Sequence, residues 1–327
     1  MKAVSDSDQL ATDVAWDLEP LLGETGSVDS LLAEAAEAAE KFSEKYRGRI
    51  AYLSAPDLAE AMHALAQISD GVGRVGSYVG LKFSVDTTNP EFGAQMANAD
   101  EKSTEISNTL LFVELEWAAA DDAHVEEVLT QPELDFCRHH LSAARRYRPH
   151  LLSEPEEKIL ADKAVTGSSA WGRLFSELTS TIEVDISGET ISLEEGLSRL
   201  QSPERSVRKE AALAVTCALE PGLRTRAFIF NTLLADKGSD DRLRHFDNWL
   251  ASRNLDNEAS DESVAALVEA VVSRYDIPQR WYTLKAKLLG LDRISDYDRM
   301  ALVSDTEETF SWSVAREIVS NAYKSFS

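Results

Sequence analysis

The chain has 327 residues, 43% of them hydrophobic, and a net charge of -24. These values predict a globular protein with a substantial core, and they exclude a nucleic-acid binder because phosphate neutralisation needs clustered Lys and Arg. The charge also disfavours docking on an anionic membrane; we interpret it as a solubility feature, with salt adaptation as the alternative.

The cysteines and the N-terminal segment favour a cytoplasmic protein. Cys137 and Cys217 form no C-x-x-C pair, which fits a reducing compartment. Cys217 lies in the apolar helical pattern EAALAVTCALE, so we expect it to be buried. The first residues, MKAVSDSDQLATDV, contain no apolar signal core, and no run reaches the roughly 18 apolar residues of a membrane span.

Helical periodicity dominates the chain up to about residue 180. Cap signals predict helices that begin after Ser27, Ser54, Asn89 and Ser153. Ser153 and Glu156 have the spacing of a capping box, and Gly167 is predicted to close that helix.

The second helix contains the glycines of GVGRVG, within the stretch from Gly71 to Gly80. Each glycine costs a helix about 1 kcal/mol relative to alanine, so we expect close approach of a neighbouring helix. A phosphate loop is the alternative, but the strand that should precede it is missing.

In one segment, apolar residues recur at every second position instead of with helical spacing. Ile182, Val184 and Ile186, then Ile191 and Leu193, alternate around SGET, which predicts a β-hairpin over about 181–193. We place a domain boundary just after it, with a helical lobe over 1–200 and a second helical segment over 201–327.

Helices are predicted to resume after the hairpin. Ser202 is the expected cap of the next helix, with Pro203 at its first position, and Ser260 caps a later one. The stretch SDYDRMALV has no helical face, so we expect it to be extended.

Local motifs give no complete catalytic site. None of the six histidines forms H-E-x-x-H, and GSSAWG does not match the G-x-S-x-G elbow of a serine nucleophile. His139 and His140 in CRHH are surface or interface residues, with a metal site as the alternative. The adjacent acids Glu194–Glu195 and Asp121–Asp122 are expected at helix starts, where they favour the helix dipole.

A basic and aromatic cluster lies near residue 280. Arg280, Tyr282, Lys285 and Lys287 could contact an anionic group. We favour a structural interpretation, in which one helix face packs inward and the basic residues face solvent. That face comprises Trp281, Leu284, Leu288 and Leu291.

The chain ends in an apolar-faced helix without a stop signal. Trp312, Val319 and Phe326 lie on one face, and no Gly, Asn or Pro follows. The helix is either a C-terminal strap or the point where a longer domain has been cut.

Several long stretches, taken together and in order, resemble the oligoendopeptidase F family of thimet-oligopeptidase-like zinc metallopeptidases. They are ISDGVGRVGSYVGLKFSVDTTNPEF, RPHLLSEPEEKILADKAVTGSSAWGRLFSEL, SPERSVRKEAALA, WSVAREIVSNAYKSFS and, from His245, HFDNWLASRNLDNEASDESVAALVEAVVSRYDIPQRWYTLKAKLLGLDRISDYDRMA. The resemblance implies a mainly α fold of two lobes around a channel that admits short peptides. It also implies zinc held by H-E-x-x-H and a later Glu, with the Glu inside the motif as general base.

This sequence departs from that pattern because it contains no H-E-x-x-H. We therefore expect an N-terminal portion with an incomplete catalytic lobe, which assigns no catalytic or metal residue, binds no zinc by itself and is inactive. The substrate-binding residues are unknown; the Gly71–Gly80 helix and the hairpin turn near Gly188 are candidates for lining the channel. The alternative is a non-catalytic helical module that binds peptides or a protein partner.

Overall fold

The structure is a computed structural model that describes residues 16–303 and 310–326. These residues form a mainly helical chain with one two-stranded antiparallel sheet, which confirms the predicted fold class. Among them, no helix is both long enough and apolar enough to cross a lipid bilayer.

Eight α-helices precede the sheet between residue 16 and the hairpin. They are α1 Val28–Tyr46, α2 Ala55–Val85, α3 Pro90–Leu110, α4 Phe112–Ala119, α5 Asp122–Leu129, α6 Arg138–Ala144, α7 Glu154–Thr166 and α8 Ser168–Ser180. Short 3-10 turns cover Glu19–Thr25, Ile50–Tyr52, Pro132–Leu134 and Arg145–His150.

The predicted caps of these helices are confirmed. The Ser27 hydroxyl accepts from Ser30 N–H at 3.1 Å, and the Asn89 amide oxygen accepts from two backbone N–H groups at the start of α3. Ser153 and Glu156 form the capping box. Each cap satisfies N–H groups that have no partner inside the helix, which fixes where the helix starts.

Helices α1 to α6 enclose the larger hydrophobic core of the described residues. Leu32, Ala39, Leu58, Val75 and Trp117 are among its most buried side chains. The core forms because the apolar stripes of α1 and α2, spaced three and four residues apart, face each other.

The hairpin consists of β1 Glu183–Ile186 and β2 Glu189–Ser192, inside the predicted range. Ser187 and Gly188 have φ values of 56° and 82°, the positive pair that a two-residue type I′ turn requires.

Seven α-helices follow in the described part. They are α9 Leu193–Ser198, α10 Arg205–Leu219, α11 Leu223–Leu243, α12 Ala251–Asp256, α13 Asp261–Ser273, α14 Asp276–Leu288 and α15 Trp312–Lys324. Further 3-10 turns cover Arg199–Gln201 and Asp296–Asp298.

The hairpin packs on α9 and α10 in a second, smaller core. Val184, Ile186, Ala211 and Val215 are buried there. A Cβ atom added to Gly196 of α9 would lie 3.1 Å from a methyl group of Val215 and 3.2 Å from one of Val184, so this glycine permits the close packing. The domain boundary near residue 200 stays a prediction, although this core contains residues from both of its sides.

Two predictions about this second part were wrong. Helix α10 begins at Arg205 with Glu204 in the cap position, so Ser202 is not its cap. The carbonyl groups of residues 202 and 203 instead accept hydrogen bonds from Arg208. The stretch SDYDRMALV is not extended, because Ser295 and Asp298 form a capping box around a 3-10 turn.

The prediction that close helix approach explains the clustered glycines was also wrong, because a Cβ would fit at each of them. A Cβ on Gly71 would lie 3.9 Å from the Cβ of Ala35 in α1, whereas one on Gly73, Gly76 or Gly80 would meet nothing within 4 Å. All four glycines lie inside the continuous helix α2, without the strand–turn–helix geometry of a phosphate loop.

Candidate functional site

The two histidines of CRHH lie in the first turn of α6, and the structure gives them different surroundings. His139 Nε2 lies 2.8 Å from the carboxylate of Glu258, in the loop after α12. His140 lines a cavity. The two rings therefore lie in different surroundings, one beside a carboxylate and the other at a cavity.

The cysteines also differ from one another. Cys137 is buried beside the same cavity, and burial raises the pKa of its thiol. Cys217 is exposed, so its predicted burial was wrong. Successive residues turn by about 100° around a helix, and this places Cys217 well away from the buried Val215 on α10.

The interpretation of the cluster near residue 280 was wrong in its orientation. Lys285 is buried and its ammonium group donates to the carbonyl of Arg299 at 2.7 Å. Trp281, Leu284 and Leu288 of the supposed inner face are instead exposed. The segment around residue 299 packs against the opposite side of α14 and therefore determines which face is covered.

A buried ionic cluster attaches that segment to α10. Asp298 is fully buried, and its carboxylate accepts from Arg205 Nε at 3.0 Å and from an Arg208 guanidinium nitrogen at 3.0 Å. The N–H of Ser295 donates to it at 3.1 Å. Burial disfavours the charged form, but the hydrogen bonds from Arg205, Ser295 and Arg208 outweigh it and hold the pKa of Asp298 below its usual value.

A second ion pair joins α7 to the end of α11. Arg244 donates to both carboxylate oxygens of Glu157 at 2.8 Å, and the Glu157 carboxylate also accepts from Leu152 N–H. Desolvation opposes ionisation of Glu157, yet the bonds from Arg244 and Leu152 hold its pKa below the usual value. Both clusters are structural, because their charges are matched inside the protein.

The cavity beside His140 has a volume of about 770 Å³. It lies against residues of α2, α4 and α6 and the loop after α12. The apolar part of its lining includes Leu58, Met62, Leu65, Leu111, Val113 and Trp117. This combination of size and apolar walls is typical of a small-molecule pocket.

Polar groups also line the cavity. Tyr147 donates its hydroxyl hydrogen to Asp256; desolvation and that bond raise the pKa of Tyr147 to about 12. Arg146 and His139 lie near the Glu258 carboxylate at 3.8 and 2.8 Å.

Glu114 is the exception among these groups. Within the described ranges it forms no hydrogen bond or ion pair, and desolvation raises the pKa of its carboxyl. Sequence analysis missed this site because its residues, from Ile50 to Glu258, are distant along the chain and carry no local motif.

The two candidate channel features lie elsewhere. Neither the clustered glycines nor Gly188 lines this cavity. Their contact with substrate stays a prediction.

The comparisons with known proteins agree with one another. The family model described as Oligopeptidase F, Peptidase_M3_N, matches residues 116–183. The group B oligopeptidase PepB of Streptococcus agalactiae is 25% identical over 270 residues, which are 80% of this chain and 45% of that protein. The oligopeptidase PepF of Bacillus subtilis is 24% identical over 325 residues, 95% of this chain and 48% of that protein.

A solved structure shows the same fold. The oligoendopeptidase-F of Enterococcus faecium superposes with a TM-score of 0.74 at 22% identity, covering 86% of this chain and 56% of that one. The chain therefore spans about half the length of the curated relatives it matches. The family model, the curated relatives and the shared fold lead to one conclusion: the chain is similar to proteins of the oligoendopeptidase F family.

Proposed function

We propose that this chain is the N-terminal helical part of a zinc-dependent oligoendopeptidase that hydrolyses internal bonds of short peptides in the cytoplasm. The observation that carries the proposal is the agreement of its relatives, whose names are those of oligopeptidases and whose length is about twice the matched region. The substrates in this proposal are short peptides, and neither nucleic acid nor a membrane is a partner.

The residues of this chain do not fit a zinc site. Among residues 16–303 and 310–326, no group of three or more His, Cys, Asp or Glu could hold a metal ion. The ring of His63 is stacked on Phe136, and that of His150 is stacked on Phe246 and bonded to the Arg244 carbonyl. We therefore assign zinc binding to an H-E-x-x-H motif in the other half of a full-length protein, and we expect the 327-residue chain to lack activity.

The exposed helix faces favour an N-terminal part of a longer protein over a self-contained binding module. Helices α13 and α15 have no buried residue, and their apolar side chains are open to solvent: Leu267 is 64% exposed, Trp312 51% and Tyr323 75%. Monomeric soluble proteins rarely leave contiguous apolar faces of this kind uncovered. We propose that the other half of the full-length protein packs on them.

A quenched fluorescent oligopeptide tests the inactivity of the chain. We expect purified chain to give no hydrolysis above buffer, with or without added zinc. Hydrolysis that a chelator abolishes and zinc restores would contradict the proposal.

Two further measurements separate the proposal from the alternative module. A dye that fluoresces on apolar surfaces should bind the folded chain before any thermal transition; a monodisperse chain that leaves the dye dark would favour the module. The DNA downstream of the Ser327 codon should encode H-E-x-x-H in frame, and an open frame without that motif would count against the proposal.

A further inference from the structure

The cavity between α2, α4 and α6 combines apolar walls with one acidic side chain that lacks a polar partner. The carboxylates of Asp256 and Glu258 are engaged by Tyr147, His139 and Arg146. Glu114 has no such bond to any residue in the described part of the chain. The cavity therefore presents one unmatched carboxyl group to an occupant.

The electrostatic surroundings of Glu114 make a cation the fitting occupant. Desolvation raises its pKa, and the nearby carboxylate of Glu157 raises it further. Arg244 and His140 oppose these effects without overcoming them. Glu114 is exposed where it faces the open cavity. A positive group placed beside it would offset the repulsion from Glu157.

We propose that this cavity binds a small apolar primary amine, whose ammonium group contacts the carboxylate of Glu114 and whose hydrocarbon part lies against Met62, Leu65 and Val113. A volume of about 770 Å³ accommodates a ligand of this class. An ammonium can form a charge-assisted hydrogen bond with the carboxylate, whereas a carboxylate ligand would be repelled by it. A metal ion does not fit, because the described residues contain no group of three or more His, Cys, Asp or Glu that could hold one.

The N-terminus of an apolar peptide and a free alkylamine share this chemistry. The proposal concerns a site within the first helical core and does not depend on peptidase activity. Binding and hydrolysis are separate measurements, so the amine site and the proposed peptidase function can fail independently.

Isothermal titration calorimetry with three ligands of equal chain length tests the site. The ligands are n-hexylammonium, n-hexanol and hexanoate, measured near physiological ionic strength so that the net charge of -24 is screened. We expect hexylammonium to bind most tightly. Glu114→Gln should weaken its binding about 10-fold or more while leaving hexanol unchanged, because only the ammonium gains from the carboxylate.

Two control variants localise the effect. Glu126→Gln removes the same charge from an exposed position on α5 outside the cavity and should leave all three affinities unchanged. Ala66→Leu fills the cavity from its lining and should abolish binding of hexylammonium and hexanol. Circular dichroism confirms that each variant is folded.

Dileucine and its N-acetyl form distinguish the two sources. If dileucine binds only when Glu114 is present, and N-acetyl-dileucine does not bind, the natural amine is a peptide N-terminus. If hexylammonium alone binds, the natural amine is a free alkylamine. The proposal is overturned if no amine binds, if hexanol matches hexylammonium, or if binding survives Glu114→Gln or Ala66→Leu.

Discussion

Removing the charge of Asp298 should destabilise the second part of the chain more than any surface substitution. The Asp298 side chain is fully buried, and its neighbour Arg208 is 2% exposed. Asp298→Asn keeps the shape but leaves the guanidinium of Arg208 without its counter-charge, next to the like charge of Lys285. Breaking a buried pair in this way costs about 3–5 kcal/mol. We place the loss near 3 kcal/mol, because Arg208 retains its two backbone carbonyl acceptors.

Urea unfolding followed by circular dichroism measures this loss. The matched control is Asp292→Asn, which removes the same charge from an exposed position in the same segment; it should shift the free energy of unfolding by less than about 0.5 kcal/mol. The reasoning is refuted if Asp298→Asn costs no more than the control.

The pH dependence of the same variant provides an independent check. The pKa of Asp298 is lower in the folded chain than in the unfolded chain. The stability it contributes is therefore fully present above the unfolded pKa of about 3.9 and is lost as the pH falls through the folded pKa. The difference between wild type and Asp298→Asn should shrink as the pH falls below about 4, and a constant difference would contradict the charge-based explanation.

Three further substitutions and one reaction test the packing. Gly196→Ala should destabilise by about 1 kcal/mol in a thermal melt, because a Cβ would lie 3.1 and 3.2 Å from two valine methyl groups, which would have to shift to admit it. Gly172→Ala, which meets nothing within 4 Å, should instead stabilise by about 0.5–1 kcal/mol, and equal effects would refute the packing explanation. Glu157→Gln should lower the urea midpoint through a loss of about 2 kcal/mol, since the half-buried guanidinium of Arg244 loses one of its two carboxylate partners; an unchanged midpoint would show that the pair contributes nothing. Mass spectrometry should find Cys217 alkylated well before Cys137 in the folded chain, and equal rates would contradict the burial of Cys137.

The sequence was sufficient to predict the local structure because the signals are local. Ser27, Asn89 and Ser153 cap helices through hydrogen bonds to N–H groups within three residues. The hairpin was equally accessible, since alternation of Ile and Val flanks a Ser187–Gly188 turn that needs two positive φ values. The family resemblance was likewise carried by long stretches that can be compared without a structure.

Only the tertiary structure decided which helix faces are covered. The sequence marks an apolar stripe on α14, but the packing of the segment around Arg299 buries Lys285 and leaves Leu284 exposed. Cys217 shows the same limit, since its helix is apolar on more than one side and only the hairpin determines which side faces inward.

The cavity at Glu114 could not be predicted from the sequence, because it too depends on packing between distant segments. Its lining residues are separated by up to about two hundred positions, and each looks locally like a core or surface residue. The sequence by itself therefore determined the helices, the hairpin and the family resemblance. The tertiary structure decided which buried charges pair and which acidic side chain faces the cavity without a protein partner, because those outcomes depend on contacts between distant segments.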